Sequence, residues 1–255
     1  MKNKFTILGC GSSLGSPWIT NYWGPCSKIK KNLRTRCAAH IQYNNISVLV
    51  DTSPDIKEQF YKNKISNVDA VIYTHEHADQ TSGIFELRPF FWKNKKKIPV
   101  YGSKRTIKEL KDKYTYCFAS RHGYKPIMKA FAVAKKIQIK KKNTSLAIEI
   151  FNVKHGMINA SGYLFNKVAY ISDCNHIPDS SIIYLKNLNY LVIDCLRIKK
   201  HPSHLNLDDA LKLIKKVKPK KAILTNLHVD LDYKKLKKRL PSNIIPAYDG
   251  LSFNF

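Results

Sequence analysis

Short apolar runs that stop abruptly at polar, ligand-capable residues recur along the chain. Phe5 to Leu8 ends at Gly9-Cys10-Gly11-Ser12-Ser13, Val48 to Val50 at Asp51, and Val71 to Tyr73 at Thr74-His75. Ala147 to Val153 ends at Lys154-His155, Val168 to Ile171 at Ser172-Asp173, Leu191 to Ile193 at Asp194, and Ala222 to Leu224 near Thr225-Asn226-Leu227-His228. β-Branched and aromatic runs of this length bounded by polar residues predict buried strands. Ala38 to Tyr43 and Ile98 to Tyr101 read the same way. Between them the period changes. Ser53 and Pro54 open a helix with Ile56, Phe60 and Tyr61 on its apolar side. Ile84 to Trp92 starts as a helix with Pro89 inside it. Lys104 to Phe118 carries Ile107, Leu110, Tyr114 and Phe118 at helical spacing. Asn206 caps a helix over Leu207 to Val217, with Asp209 three residues on and Ala210, Leu211, Leu213, Ile214 and Val217 as its buried stripe. Ser16 to Ser27 is an aromatic surface loop, and Arg121 to Tyr124 is a turn in which His122 is a loop residue.

A histidine at one strand end is commonly a hydrogen-bonded structural residue. A whole set of such endings predicts that the strand ends meet at one cleft, where ligands bind in sheet proteins. The richest ending is Val68 to Gly83, VDAVIYTHEHADQTSG. His75, His77 and Asp79 give three metal-binding groups in five residues behind a buried strand. Neutral imidazole and carboxylate are the usual ligands of zinc, manganese and iron. His204, in His201-Pro202-Ser203-His204, lies just before the Leu207 helix, where an anion is favoured. An exposed loop histidine fits that position equally well.

The 255 residues can bury one large core or two small ones. No apolar run reaches the roughly 18 residues of a membrane span, and Phe5 to Leu8 is too short for a signal peptide. A soluble, cytoplasmic protein is expected. The six cysteines show no C-x-x-C spacing and are expected as reduced thiols. The net charge of +27, from 45 basic against 18 acidic residues, suits a polyanionic partner such as RNA. The lysines are nevertheless spread along the whole chain, with Asn and Ile abundant, which reads as general compositional bias rather than a groove. A nucleic-acid partner is therefore not favoured, and no membrane partner is expected.

His75-x-His77-x-Asp79, followed by His155, Asp173 and His228, resembles the metal-binding pattern of the metallo-β-lactamase fold hydrolases. GCGSSLGSP, DTSPD, HADQ, HPSH and LTNLHVDLDY extend the likeness over the whole chain, towards the phosphoribosyl cyclic phosphate phosphodiesterases of phosphonate breakdown. The resemblance implies an α/β (α+β) fold, a four-layer αββα sandwich with the site at one edge of two sheets, as one domain over residues 1–255. It implies a metal-dependent phosphodiesterase that cleaves a small phosphodiester, such as a cyclic ribose phosphate, by metal-activated hydroxide. The same fold also serves RNA-processing nucleases and thioester or lactam hydrolases, and a non-catalytic metal- or phosphate-binding relative is a further alternative.

Carried over residue by residue, His75, His77 and His155 hold one divalent ion. Asp79 and His228 hold a second, with Gln80 as a weak oxygen ligand, and Asp173 bridges the two. The ions expected are manganese or zinc, with iron as an alternative, and the second site is the weaker. Asp79 and His204 are the catalytic candidates, His204 as the acid for the leaving oxygen. Ser12, Ser13, Asp51 and His201 are the candidates to meet a small phosphorylated substrate, and a homodimer is compatible with the aromatic patches. Two features depart from the pattern. Gln80 stands where the usual loop ends in His, which weakens a second ion. Cys26 stands alone where relatives often carry a cysteine cluster, so no structural zinc is expected there.

Overall fold

Several apolar runs predicted as strands become central strands buried on both faces, the pattern expected of parallel strands inside a layered fold. The computed structural model describes residues 3–120 and 123–255; the predicted loop residue His122, with Arg121, lies outside the described residues. The first six strands are β1 (Lys4–Gly9), β2 (Ala38–Tyr43), β3 (Ile46–Val50), β4 (Ala70–Ile72), β5 (Ile98–Gly102) and β6 (Met128–Ala132). Then come β7 (Lys136–Lys141), β8 (Thr144–His155), β9 (Ile158–Phe165), β10 (Val168–Ile171), β11 (Tyr190–Asp194), β12 (Lys221–Thr225), β13 (Ile244–Pro246) and β14 (Ser252–Asn254). They form two seven-stranded sheets, ordered β14-β1-β2-β3-β4-β5-β6 and β13-β12-β11-β10-β9-β8-β7.

Side-chain alternation sorts each strand between two cores. In β3 and β4, Ile46, Val48, Val50, Ala70 and Ile72 face the space between the sheets. Leu49, Val71 and Tyr73 face outward, onto helices Ile56–Asn63 and Lys104–Lys113. In β10 and β11, Val168, Tyr170 and Val192 join the central core, while Ala169, Ile171, Leu191 and Ile193 meet helix Leu207–Val217. Helix, sheet, sheet and helix therefore stack as four layers, the αββα sandwich of the metallo-β-lactamase fold. Among the described residues no helix is long and apolar enough to cross a membrane.

The structure corrects several element boundaries. The first helix begins at Ile56, not Pro54, and Ser53 Oγ accepts from the Asp55 N–H at 3.2 Å in the turn before it. Ile84 to Asn94 divides into a 3-10 turn, Ile84–Leu87, and helix Arg88–Asn94, because Pro89 is tolerated only in the first turn of a new helix. Lys104 to Phe118 breaks at Tyr114. Asn206 caps as expected, accepting from the Asp209 N–H at 2.9 Å.

Candidate metal centre and substrate cleft

Parallel pairing sets where the chemistry lies. β3, β4 and β5 run parallel, as do β10, β11, β12 and β13, so their carboxyl ends share an edge within each sheet. β8 is antiparallel to β9, which is antiparallel to β10, so His155 at the end of β8 reaches the same edge. Two links join the sheets there. The Ser161 N–H donates to the Thr74 carbonyl at 2.9 Å, and Tyr163 Oη donates to the Tyr73 carbonyl at 2.6 Å. The loop after β4 is pinned from behind by Gly83, whose N–H donates to the Thr52 carbonyl at 2.9 Å. A Cβ at that position would stand 2.0 Å from the Ser53 carbonyl oxygen.

His75, His77 and His155 converge, with one ligand atom from each lying within 4.8 Å of the others. His75 Nε2 is 3.0 Å and His155 Nε2 is 3.3 Å from His77 Nδ1. The far nitrogens fix the tautomers. His155 Nδ1 faces the Ser203 carbonyl at 2.8 Å, so it carries the proton and Nε2 keeps its lone pair. Thr74 Oγ1 donates to the Asp51 carboxylate, 3.0 Å from Oδ2, and so accepts from His75 Nδ1–H at 3.0 Å. His75 Nε2 then also presents a lone pair. Two lone pairs meeting at one His77 nitrogen cannot both be satisfied by its single proton, whereas a cation satisfies all three nitrogens. Burial, with the neighbouring imidazoles, holds the His75 pKa down at about 3 and lowers that of His77. Neutral rings, with the far nitrogens of His75 and His155 bonded, are what a divalent ion requires, so the residues fit one ion at this place.

Asp173, just past β10, is buried beside this group. Burial opposes its charge, but His75, His204 and His155 outweigh that and hold its pKa below the ordinary carboxylate value. Gln80 Nε2 donates to Asp173 Oδ2 at 3.2 Å, and Asn226 Nδ2 reaches Asp173 Oδ1 at 3.4 Å and Asp194 Oδ1 at 3.1 Å. His204 Nδ1 donates to Asp194 Oδ2 at 2.8 Å. Burial disfavours the charged imidazole, yet Asp194, with Asp173 and Asp79 behind it, raises the His204 pKa to about 9. Asp79 moves up to about 6, through burial and then the nearby Asp173 charge. His155, Asp173 and His204 form a second trio of ligand-capable groups.

These groups open onto a cleft of about 310 Å³, lined by Ser12, Ser13, Asp79, Arg197, His201 and His228 among others. Ser12 is buried with its Oγ unpartnered, while Ser13 is exposed. The Ser203 N–H and hydroxyl lie 3.3 and 3.1 Å from His201 Nδ1, which therefore accepts and leaves its proton on Nε2.

Of the residues predicted for the site, the structure gathers His75, His77, Asp79, His155, Asp173 and His204, and places Ser12, Ser13 and His201 on the cleft wall. Two expectations are corrected. Asp51 is fully buried and does not meet substrate; it supports His75 through Thr74. His228 lines the cleft but, like Asp79, joins neither ligand trio found among the described residues. Its ring lies against Trp18 and its Nδ1 is 3.2 Å from Asp230, because two residues separate it from the end of β12. Asn226, directly after β12, takes the place beside Asp173. Gln80 meets Asp173 through its N–H and keeps its Oε1 buried and without a partner among the described residues, so the oxygen expected as a weak ligand stays available. The roles of Asn226 and Thr74, and of Asp194 as the partner of His204, were missed in the sequence. The signal for the first was its position next to the strand end, which Asp51 and Thr74 share.

Comparison with known proteins agrees with this fold. The beta-lactamase superfamily domain matches residues 47–226. A diphosphatase of the PhnP family is similar in structure, with 32% identity, a TM-score of 0.90, and coverage of 100% of this chain and 98% of that one. Zn2+-bound PqqB from Methylobacterium extorquens has a TM-score of 0.81 over 99% of this chain and 100% of its own, at 14% identity, a likeness of fold. A curated octanoyltransferase of Porphyromonas gingivalis is 30% identical over 251 residues, 96% of this chain, and the chain spans 50% of that relative's length.

Proposed function

The chain belongs to the beta-lactamase superfamily and is a hydrolase of the metallo-β-lactamase fold; on that premise we propose that it is a metal-dependent phosphodiesterase acting on a small phosphorylated substrate, with a cyclic ribose phosphodiester as the first candidate. The observation that carries this reading is the meeting, in one cleft, of three imidazole nitrogens with hydrogen-bond donors suited to phosphate. The likeness to a PhnP-family diphosphatase supports the same class and adds a diphosphate to the candidates.

When bound at His75, His77 and His155, a divalent ion supplies a lowered water pKa and positive charge facing the phosphate oxygens. The chain's own residues do the rest. Ser12 Oγ, buried and without a partner among the described residues, and the Nη1 end of Arg197, whose Nε and Nη2 are held by the Lys199 and Lys200 carbonyls, donate to non-bridging oxygens. His201 donates from Nε2, since its Nδ1 is taken by Ser203. Asp79, on the cleft wall, accepts a hydrogen bond from the attacking water and orients it. Asp194 holds His204 by Nδ1, leaving Nε2 to deliver a proton to the departing oxygen.

A second reading, attack at an acyl carbonyl, is favoured by the name of the octanoyltransferase relative and would use the same groups. The test is a substrate panel with zinc- or manganese-loaded protein: a cyclic ribose phosphodiester, an activated aryl phosphodiester, a diphosphate, an octanoyl thioester and a structured RNA. Phosphoester or diphosphate hydrolysis that is lost on chelation and in His77→Ala is the expected result. Turnover of the thioester alone would move the assignment to acyl chemistry, and salt-sensitive cleavage of RNA alone would make the protein a nuclease.

A further inference from the structure

We propose that this chain binds a single divalent ion tightly, at His75, His77 and His155, and that the amide N–H groups of Gln80 and Asn226 stand where a second ion would need ligands. The inference rests on the metal-dependent reading above and sets its stoichiometry.

Two ligand trios are present among the described residues, but they share His155. Its Nδ1 is committed to the Ser203 carbonyl at 2.8 Å, so only Nε2 can bind a metal, and that nitrogen lies 3.3 Å from His77 Nδ1. One imidazole nitrogen serves one ion. Removing His155 from the second trio leaves Asp173 and His204, and His204 Nδ1 is bonded to Asp194 Oδ2 at 2.8 Å. Those remaining groups do not make a second three-ligand site.

The surroundings of Asp173 point the same way. Oδ2 accepts from Gln80 Nε2 at 3.2 Å, and Oδ1 is 3.4 Å from Asn226 Nδ2. The orientation of both amides follows from charge. Turning Gln80 would set its Oε1 against a carboxylate oxygen, and turning Asn226 would set its oxygen against the Asp173 and Asp194 carboxylates at 3.4 and 3.1 Å, two repulsive contacts against the single gain of facing the His204 Nδ1–H at 3.1 Å. Both therefore present N–H to Asp173, while the Gln80 Oε1 stays buried and without a hydrogen-bond partner among the described residues, an amide oxygen that holds a divalent ion less firmly than an imidazole does. They also supply Asp173 with hydrogen bonds that a bridging carboxylate would draw from metal. His228, the remaining imidazole predicted for a second ion, is turned to Asp230 and Trp18. Asp79, Asp173 and the Nε2 of His204 are the lone-pair groups left at this position, and without imidazoles at 80 and 226 they retain a second divalent ion far less firmly than three converging imidazoles retain the first.

The test is metal content by mass spectrometry after saturation with zinc or manganese and removal of excess by gel filtration, with circular dichroism to verify folding. Wild type should retain one equivalent and His77→Ala essentially none. Gln80→His/Asn226→His, which replaces both N–H donors by lone-pair donors, should retain two. Gln80→Glu/Asn226→Asp, nearly isosteric, should do so if the histidine pair does not fold. Two tightly retained ions in wild type would overturn the inference and leave the metal-dependent reading standing. None in wild type would overturn that reading as well. A folded double variant that still holds one would refute the role given to the two amides.

Discussion

Removing one buried hydroxyl should loosen the metal centre without touching a ligand. Thr74 Oγ1 is 3.1 and 3.0 Å from the two Asp51 oxygens and 3.0 Å from His75 Nδ1. Thr74→Val keeps the β-branched shape and deletes all three contacts. Asp51 retains the Thr74 backbone N–H at 2.8 Å, so its carboxylate is weakened but not orphaned. The His75 Nδ1–H loses its acceptor inside a fully buried ring, which costs about 1–3 kcal/mol. Outer hydrogen-bond partners of ligating histidines are worth roughly 10–100-fold in metal affinity, or about 1.4–2.7 kcal/mol. Competition against a chromophoric chelator should therefore give a dissociation constant raised by about that factor, and urea unfolding of the metal-free protein should show a stability loss of similar size. Thr74→Ser restores the hydroxyl and should recover most of both. A folded Thr74→Val protein that binds metal as wild type does would refute the relay from Asp51 through Thr74 to His75.

Three other outcomes are expected. His204→Ala should slow turnover of an unactivated phosphodiester by roughly 10²–10⁴-fold and an activated aryl ester much less, since only the first needs a proton at its leaving oxygen; equal losses in a kcat comparison would make His204 a positioning residue instead. His40, packed against Ser47 at 2.8 Å, has its pKa lowered to about 4 by burial and then by Lys4, against an ordinary 6.5. The unfolded chain takes up this proton first as pH falls, so the contribution is complete above pH 6.5 and lost towards pH 4; between pH 7.5 and 5.5 wild type should lose about 1.4 kcal/mol relative to His40→Gln in urea unfolding, and parallel curves would sink this account. Gly83→Ala should destabilise the fold by about 1–3 kcal/mol, because its Cβ would overlap the Ser53 carbonyl oxygen; a wild-type melting temperature would show that the loop yields freely.

The site was legible where chemistry and strand ends coincide along the chain. His75, His155 and Asp173 each follow or close an apolar run, and the run marks the strand whose end carries them. What the pattern concealed were partners brought in by pairing between distant strands. Asn226 lies two residues before an imidazole, and only the end of β12 at Thr225 shows which of the two reaches Asp173. Asp51 has the same strand-end position as the ligands, but its side chain turns inward to Thr74. The contribution of Ser203 to the centre is a carbonyl oxygen, which no residue type reveals. Strand β7, KIQIKK, was obscured by its lysines, though Ile137 and Ile139 alternate into the core. β6 and β9 alternate less cleanly, and the short β13 and β14 take their pairing from neighbours far away in sequence.

The links from Ser161 to Thr74 and from Tyr163 to Tyr73 tie the two sheets at the rim where the histidines gather. His75 and His77 follow a strand of one sheet, and His155 ends a strand of the other. An ion gripped by all three is therefore a rivet through a seam, and its binding energy resists any shear between the halves. Loading should slow amide hydrogen exchange on both sides of the seam together, and a mutation that lets one half slide will weaken the rivet from a distance.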